Sequence, residues 1–196
     1  MPLDPRRAGK LTGSMVGAAI GVNEYCSRQK AWRLSTGKET FEGNEITDWG
    51  NDHEKDACLA YEIQTGNLVN DSLDDQVFYG FEDWLGITPD GRTDDLYIEF
   101  KCPWSQKIPE SVPPHYMSQI QVGMEILNID QGHLIYWTPD RLAVFEVERD
   151  KDYYAQILPL MKEFFKCMQD DVAPKRKKKP NLLIPKQGVI LDERLR

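Results

Sequence analysis

Two short apolar runs separated by a charged turn constrain this sequence more than any other feature. The runs cover residues 81–88 and 96–100, and the segment between them contains Pro89-Asp90-Gly91. An Asp-Gly pair between hydrophobic runs predicts a β-hairpin, because glycine tolerates a positive φ. Side chains alternate between the faces of a strand, so Glu99 and Lys101 share one face. The pattern therefore predicts that one Asp, one Glu and one Lys converge at one edge of a sheet.

Two carboxylates beside an ammonium group indicate chemistry rather than core packing. Mg²⁺ prefers hard oxygen ligands and usually takes one or two carboxylates together with water and substrate phosphate. Asp90 and Glu99 can supply these carboxylates, and the main-chain carbonyl of Phe100 can add a further ligand. Lys101 adds a cation that could stabilise charge on a scissile phosphate. Taken singly, each residue also has an ordinary explanation, as a turn residue or as part of a solvated ion pair.

The 196 residues predict a single domain over residues 1–171 and a basic C-terminal tail over residues 172–196. The tail contains eight Lys and Arg residues against two acidic ones, so its net charge is +6. The whole chain has a net charge of −8, and residues 1–171 therefore have a net charge of −14. An acidic body argues against a broad surface that coats nucleic acid, but a narrow positive groove stays compatible with it. The tail itself could contact DNA, bind a protein partner or, as basic runs most often do, only aid solubility.

We find no apolar run of membrane-spanning length, and residues 1–10 lack the apolar core of a signal peptide. We therefore expect a cytoplasmic protein without membrane attachment. The four cysteines are far apart and form no C-x-x-C pair, which favours separate reduced thiols over a zinc site or a disulfide framework.

The predicted elements indicate an α/β or α+β fold, with a central mixed β-sheet flanked by helices. Glu54 falls on the inward face of its helix, together with Ala57, Cys58 and Tyr61. Pro159 is expected to kink the last helix. Strands are predicted within residues 67–80, and a second hairpin joins residues 133–137 and 142–147. The predicted helices cover residues 15–20, 27–34, 49–65, 115–128 and 150–170.

Four sequence blocks carry a resemblance to a known family. They are WGNDHEKDA (residues 49–57), TPDG (88–91), EFKCP (99–103) and YMSQIQ (116–121). In this order and spacing they resemble the PD-(D/E)XK nuclease superfamily, and within it the phage lambda exonuclease family of YqaJ-type viral recombinases and alkaline exonucleases. The resemblance covers about residues 7 to 170 and implies a restriction-endonuclease-like core.

The resemblance implies a role for each member of the metal-binding half of the site. Asp90 and Glu99, with the Phe100 carbonyl, would hold the metal. Glu54 would hold a second metal ion or orient water on it. Lys101 would position the attacking water or help to deprotonate it. Lysine can act as a base only when its pKa is lowered, so the alternative is a charged Lys101 that stabilises the transition state.

The resemblance also implies roles for residues outside the charged turn. Gln119 and Tyr116 would flank the attacking water and the scissile phosphate. Arg7 and Ser14 would bind the 5′-phosphate of DNA, with Thr88 as a weaker candidate. Arginine suits this task because its planar fork pairs bidentately with phosphate.

The implied function is a Mg²⁺-dependent 5′→3′ exonuclease that degrades one strand of linear duplex DNA to mononucleotides and leaves a 3′ single strand. Two Mg²⁺ ions are expected, with Mn²⁺ able to substitute. The resemblance further implies a ring-shaped homotrimer, a single-strand annealing recombinase partner, and a phage or prophage gene product that acts in a bacterial host. The strand-separating wedge residue is not identified, and Ile46 and Trp49 are its candidates by hydrophobicity. A structure-specific or restriction-type endonuclease and a non-catalytic DNA-binding module are the alternative functions.

Overall fold

The chain, which a computed structural model describes for residues 5–70 and 77–195, forms two sheets that meet at the charged turn. The smaller sheet has three strands, with β3 in the middle. Its strands are β1 (Leu11–Thr12), β2 (Tyr79–Phe81) and β3 (Leu85–Ile87). The larger sheet is mixed, and its five strands follow one another in chain order: β4 (Gly91–Arg92), β5 (Leu96–Lys101), β6 (Gln131–Thr138), β7 (Arg141–Glu148) and β8 (Gln187–Arg194).

All five predicted helices occur in the described residues, and the predicted fold class is confirmed. The third helix begins earlier than predicted, because the side chain of Asn44 accepts a hydrogen bond from the Thr47 N–H and caps it. The last helix is continuous through Pro159. The helices are α1 (Gly13–Ala19), α2 (Arg28–Ser35), α3 (Glu45–Thr65), α4 (Pro114–Leu127) and α5 (Lys151–Gln169). None of the helices in the described ranges is long and apolar enough to cross a membrane.

The predicted hairpin between the two apolar runs is wrong. Strand β3 belongs to the smaller sheet, whereas β5 belongs to the larger one and pairs antiparallel with β4. Gly91 does not adopt a positive φ, so it does not form the expected turn. A Cβ at this position would lie 2.4 Å from a methyl group of Val69, and glycine is therefore needed for close approach. The second predicted hairpin, β6 to β7, is confirmed. Strand β2 begins at Tyr79, and the part of the predicted strand around Gln76 lies outside the described residues.

The two faces of the larger sheet are covered by different helices. Ile98 and Phe100 pack into a cluster with Ala57 and Tyr61 of α3. Tyr97 points to the other face, where the absence of a side chain at Gly123 lets its ring lie directly against α4. Because residues alternate along β5, Glu99 and Lys101 lie on the α4 side with Tyr97. This alternation places the charged groups between the sheet and α4.

Residues 172–196, predicted as a tail, contribute a strand that the sequence analysis did not anticipate. Strand β8 pairs antiparallel with β7 and forms the outer edge of the larger sheet. Arg141 donates from Nε and Nη2 to the two carboxylate oxygens of Asp192, both at 2.6 Å. The basic run before β8 also lies against the domain, since Lys177 pairs with Glu163. The segment is thus joined to the domain at both of these places.

Candidate active site

One cleft of about 410 Å³, at the junction of the two sheets, brings together most of the predicted site residues. All three predicted phosphate ligands and five of the predicted catalytic residues line it. Four further residues line the cleft that were not predicted. The lining residues are Arg7, Ser14, Asn23, Tyr25, Thr88, Pro89, Asp90, Glu99, Lys101, His115, Tyr116 and Gln119.

Asp90 lies where the chain crosses from β3 to β4. Its Oδ2 accepts a hydrogen bond from the main-chain N–H of Phe100 at 2.8 Å, which fastens the crossing segment to β5. The ammonium nitrogen of Lys101 lies 3.9 Å from the same oxygen. Burial raises the pKa of Asp90 well above its usual range, the Glu99 carboxylate raises it further, and Lys101 only partly opposes them. A carboxylate in this environment favours a nearby cation.

Glu99 is the most enclosed acidic group of the cleft, with 2% of its surface exposed. Its Oε1 accepts hydrogen bonds from Lys101 Nζ at 2.6 Å and from Gln119 Nε2 at 2.5 Å. Its Oε2 accepts one from the hydroxyl of Tyr97 at 2.7 Å. These three donors, from β5 and α4, fix the carboxylate in one orientation. Tyr97 was not predicted, although the alternation of β5 places it on the same face as Glu99.

Lys101 forms the cationic centre of the cleft. Burial alone lowers the pKa of Lys101, but the carboxylates of Glu99 and Asp90 raise it, and the net direction is upward. Its Nζ also lies 5.0 Å from the ring centroid of Tyr116, within cation–π range. These contacts favour the charged ammonium form, and the choice between electrostatic stabilisation and a role as a base stays a prediction.

Glu54 lies near the cleft but does not line it. It belongs to α3, which covers the face of the sheet opposite to α4. Burial raises the pKa of Glu54, while Lys101 lowers it and Glu99 raises it. Glu54 is therefore within electrostatic range of both residues, at the end of β5. Its predicted role at a second metal ion stays a prediction.

The donor set fits a cation that takes few ligands from the protein. Within the described residues, no three or more His, Cys, Asp and Glu side chains group closely enough to form a complete metal site. Asp90 and Glu99 nevertheless offer two carboxylates in one cleft, as Mg²⁺ sites that complete their coordination with water and phosphate require. Phe100 lies beside them through its N–H bond to Asp90, and a role for its carbonyl stays a prediction.

Arg7 lines the same cleft, together with Ser14 and Thr88. It ends the single 3-10 turn Pro5–Arg7. The Nε atom of Arg7 is buried and has no hydrogen-bond partner in the described part of the chain. A buried guanidinium nitrogen without a partner is costly unless an acceptor is supplied. The part of the cleft beside Arg7 therefore fits an anion.

The four cleft residues that the sequence did not reveal come mainly from loops and helix starts. Asn23 and Tyr25 lie between α1 and α2, where no periodicity indicates which side chains point inward. His115 lies in the first turn of α4 beside Tyr116, and the predicted role of Tyr116 could have drawn attention to it. Pro89 precedes Asp90 in the TPDG block, and the sequence predicts no role for its side chain at the site.

A family model of the YqaJ-like viral recombinase domain matches residues 4–130. The chain belongs to this family. The resemblance found in the sequence is thereby confirmed, and the matched range of the YqaJ-like domain contains every cleft residue named above. Strands β6 to β8 and helix α5 lie beyond the match. Membership in this family makes the chain a nuclease that acts on DNA.

Solved structures support the fold of this YqaJ-like domain. The alkaline exonuclease LHK-Exo from Laribacter hongkongensis is 24% identical, with a TM-score of 0.67 over 84% of this chain and 90% of that one. Its complex with dAMP gives 22% identity and a TM-score of 0.68 over the same shares. A phage-related exonuclease from Haemophilus somnus 129PT gives 18% identity and a TM-score of 0.61, over 82% of this chain and 92% of that one. No curated protein matches the sequence significantly.

Proposed function

We propose that this protein is a Mg²⁺-dependent 5′→3′ exonuclease that degrades one strand of linear double-stranded DNA to mononucleotides. The observation that carries the proposal is the composition of one cleft. Asp90, Glu99 and Lys101 line it together with Arg7, whose buried Nε has no hydrogen-bond partner within the described residues. A phosphodiester can be hydrolysed at the carboxylates while a terminal phosphate is held by Arg7.

Among the residues around the carboxylates, each has a distinct task. Asp90 and Glu99 would hold Mg²⁺, which supplies Lewis acidity and lowers the pKa of bound water. Gln119 and Tyr97 fix the Glu99 carboxylate by hydrogen bonds before substrate arrives. Lys101 presents its charged Nζ to the phosphate, where negative charge increases in the transition state. In this proposal a second ion uses Glu54, and Mn²⁺ can replace Mg²⁺.

Arg7 and Ser14 support the proposed 5′→3′ polarity. A guanidinium that binds a terminal 5′-phosphate places the first phosphodiester of that strand toward the carboxylates. The chain would then remove one nucleotide at a time from the 5′ end and leave a 3′ single strand. The LHK-Exo complex contains dAMP, a mononucleotide of the kind that such a reaction would release.

The proposed setting is recombination by single-strand annealing. The acidic exterior is compatible with a ring-shaped homotrimer that encloses the DNA, because only the channel and clefts would then need positive charge. An annealing recombinase that receives the 3′ strand is the proposed protein partner, and the cytoplasm of a bacterial host the proposed location.

The decisive experiment follows a linear duplex labelled at one end in the presence of Mg²⁺. We expect strands to shorten from their 5′ ends and mononucleotides to accumulate. Chelation of the metal should stop the reaction. Asp90→Ala, Glu99→Ala and Lys101→Ala should each slow degradation by about 10²-fold or more, whereas the exposed controls Lys107→Ala and Glu110→Ala should retain it. Degradation by all three site variants would refute the assignment, and cleavage of covalently closed circular DNA would indicate an endonuclease.

A further inference from the structure

Tyr25 is the most exposed aromatic side chain among the described residues, with 83% of its surface accessible. It nevertheless lines the same cleft as Asp90 and Lys101. An aromatic ring that is open to solvent at the edge of a polar cleft provides an apolar surface without an occupant. Neither metal binding nor phosphate binding gives this ring a task.

The main chain around Tyr25 is held in place even though the ring is exposed. The side-chain oxygen of Asn23 accepts hydrogen bonds from the N–H groups of Tyr25, at 2.8 Å, and Cys26, at 3.0 Å. The ring of Tyr25 meets the ring of His115 edge-on, with centroids 5.7 Å apart and an angle of 81° between the planes. The exposed ring therefore has a defined place at the cleft.

His115 connects Tyr25, through Tyr116, to the ammonium group of Lys101. Its ring lies 4.1 Å from that of Tyr116, which in turn lies 5.0 Å from Lys101 Nζ. The backbone of His115 is fixed against α1, because a Cβ at Gly17 would lie only 2.6 Å from the Cβ of His115. Three aromatic rings thus form one continuous wall from the ammonium group to the cleft edge.

A wall of this kind suits an enzyme that must hold any of the four bases. Every base has a π-face, so stacking on an aromatic side chain tolerates all sequences, whereas hydrogen bonds to base edges would select among them. A neutral ring also adds no charge beside the carboxylates. The charged residues of the cleft suit the phosphates of DNA, so the bases are the part of the substrate that they leave without a contact.

We propose that Tyr25, supported by His115, stacks on the base of the 5′-terminal nucleotide of the strand that is being degraded. This inference rests on the proposed exonuclease function and adds a positioning residue to it. The stacked base keeps the terminal nucleotide in the cleft after it separates from its partner strand. The phosphate beyond that nucleotide then stays in place near Asp90 and Lys101.

The test compares Tyr25→Ala with Tyr25→Phe on two duplexes that share the same 5′-phosphate. One duplex has a normal 5′-terminal nucleotide, and the other has an abasic sugar there. On the normal duplex we expect Tyr25→Ala to lower kcat/KM roughly 5- to 100-fold and Tyr25→Phe to retain most activity, because only the ring is needed. On the abasic duplex, wild type and Tyr25→Ala should differ by less than about twofold. Phe41→Ala, which removes another exposed ring, is the matched control.

Equal losses on both duplexes, or no loss on either, would overturn the stacking role while leaving the exonuclease proposal intact. Equilibrium binding of the same duplexes, measured with the metal chelated, provides a readout that does not depend on cleavage. There we expect wild type to bind the normal duplex more tightly than the abasic one and Tyr25→Ala to lose this difference. A wild-type protein that cuts no DNA but shows this binding pattern would refute the proposed function and support the stacking.

Discussion

The carboxylates of the cleft and Arg7 differ in how far the protein satisfies its own polar groups. Glu99 accepts three hydrogen bonds and Asp90 accepts one from the main chain. Arg7, by contrast, keeps a buried nitrogen without a partner in the described residues. The carboxylates are thus held in place by the protein itself, whereas in the proposed function Arg7 acquires its partner from the DNA. Changes at the carboxylates should therefore reduce the rate on every substrate, and changes at Arg7 should alter which DNA ends are degraded.

The largest effect is expected for Lys101→Ala. This change removes the only cation bonded to Glu99 in the described structure. In the proposed function it also removes the charge that faces the scissile phosphate. We expect kcat to fall about 10²- to 10³-fold on phosphorylated and unphosphorylated ends alike. Initial rates on linear duplexes measure this, with Lys107→Ala as the control. If kcat falls less than about tenfold, Lys101 only positions the Glu99 carboxylate and does not stabilise the transition state.

A smaller and selective effect is expected for Arg7→Ala. A charge-assisted hydrogen bond to phosphate contributes enough that kcat/KM on 5′-phosphorylated ends should fall roughly 10- to 100-fold. Ends that carry a 5′-hydroxyl should be almost unaffected. Arg6→Ala, which removes the same charge one residue earlier, provides the comparison. Equal losses on the two kinds of end would contradict a phosphate-binding role.

Asp90→Asn should stabilise the metal-free protein. Because the pKa of Asp90 is raised in the folded state, the folded chain holds this proton more tightly than the unfolded chain. The resulting stability is present below the unfolded-state pKa and is lost as pH rises through the raised value. Asparagine carries no charge and can still accept the Phe100 N–H. In alkaline buffer with a chelator, we expect Tm to rise by about 2–4 °C, and in acidic buffer the difference should vanish.

The matched control for this measurement is Asp94→Asn, since Asp94 is exposed in the turn before β5. It should leave Tm unchanged at either pH. Adding Mg²⁺ should raise Tm for wild type and much less for Asp90→Asn, because a ligand stabilises only the state that binds it. A lower Tm for metal-free Asp90→Asn in alkaline buffer would show that the ionised carboxylate stabilises the fold.

The smallest effect is expected in the basic run. Lys177 pairs with Glu163, and Lys179 lies 3.5 Å from Glu24, so both have partners within the protein. We expect the double variant Lys177→Ala, Lys179→Ala to leave the salt dependence of DNA binding unchanged. Arg7→Ala, by contrast, should reduce the slope of log K against log salt by about one. A smaller slope of log K against log salt for the double lysine variant would show that the basic run contacts DNA.

The sequence was sufficient to predict local structure and the convergence of the main charged groups. Helices follow from periodicity and breakers, and the alternation of β5 puts Glu99 and Lys101 on one face. Asp90 reaches them although the predicted hairpin is absent, because it lies at the crossing between the two sheets. The β6–β7 hairpin was also predictable, since its strands are close in sequence.

The parts that could not be predicted depend on contacts between distant segments. Nothing in β3 or β5 indicates that they belong to different sheets, and β8 becomes a strand only through its pairing with β7. The position of Glu54 depends on which face of the sheet α3 covers. Tyr25 lies in a loop where the Asn23 side chain accepts two main-chain hydrogen bonds, and neither periodicity nor burial patterns describe such loops.

Strand β8 also affects how the protein can be shortened or produced. Strand β7 is largely buried and rich in apolar residues, and β8 covers the edge that it would otherwise present. A chain that stops before Gln187 would expose this edge as a template for strands of other molecules. During synthesis the same edge stays open until residues 187–194 have emerged and paired. Deletions in this region should therefore increase aggregation and lower the yield of protein before they reduce the rate of hydrolysis. We expect this order even though site residues lie on a strand of the same sheet.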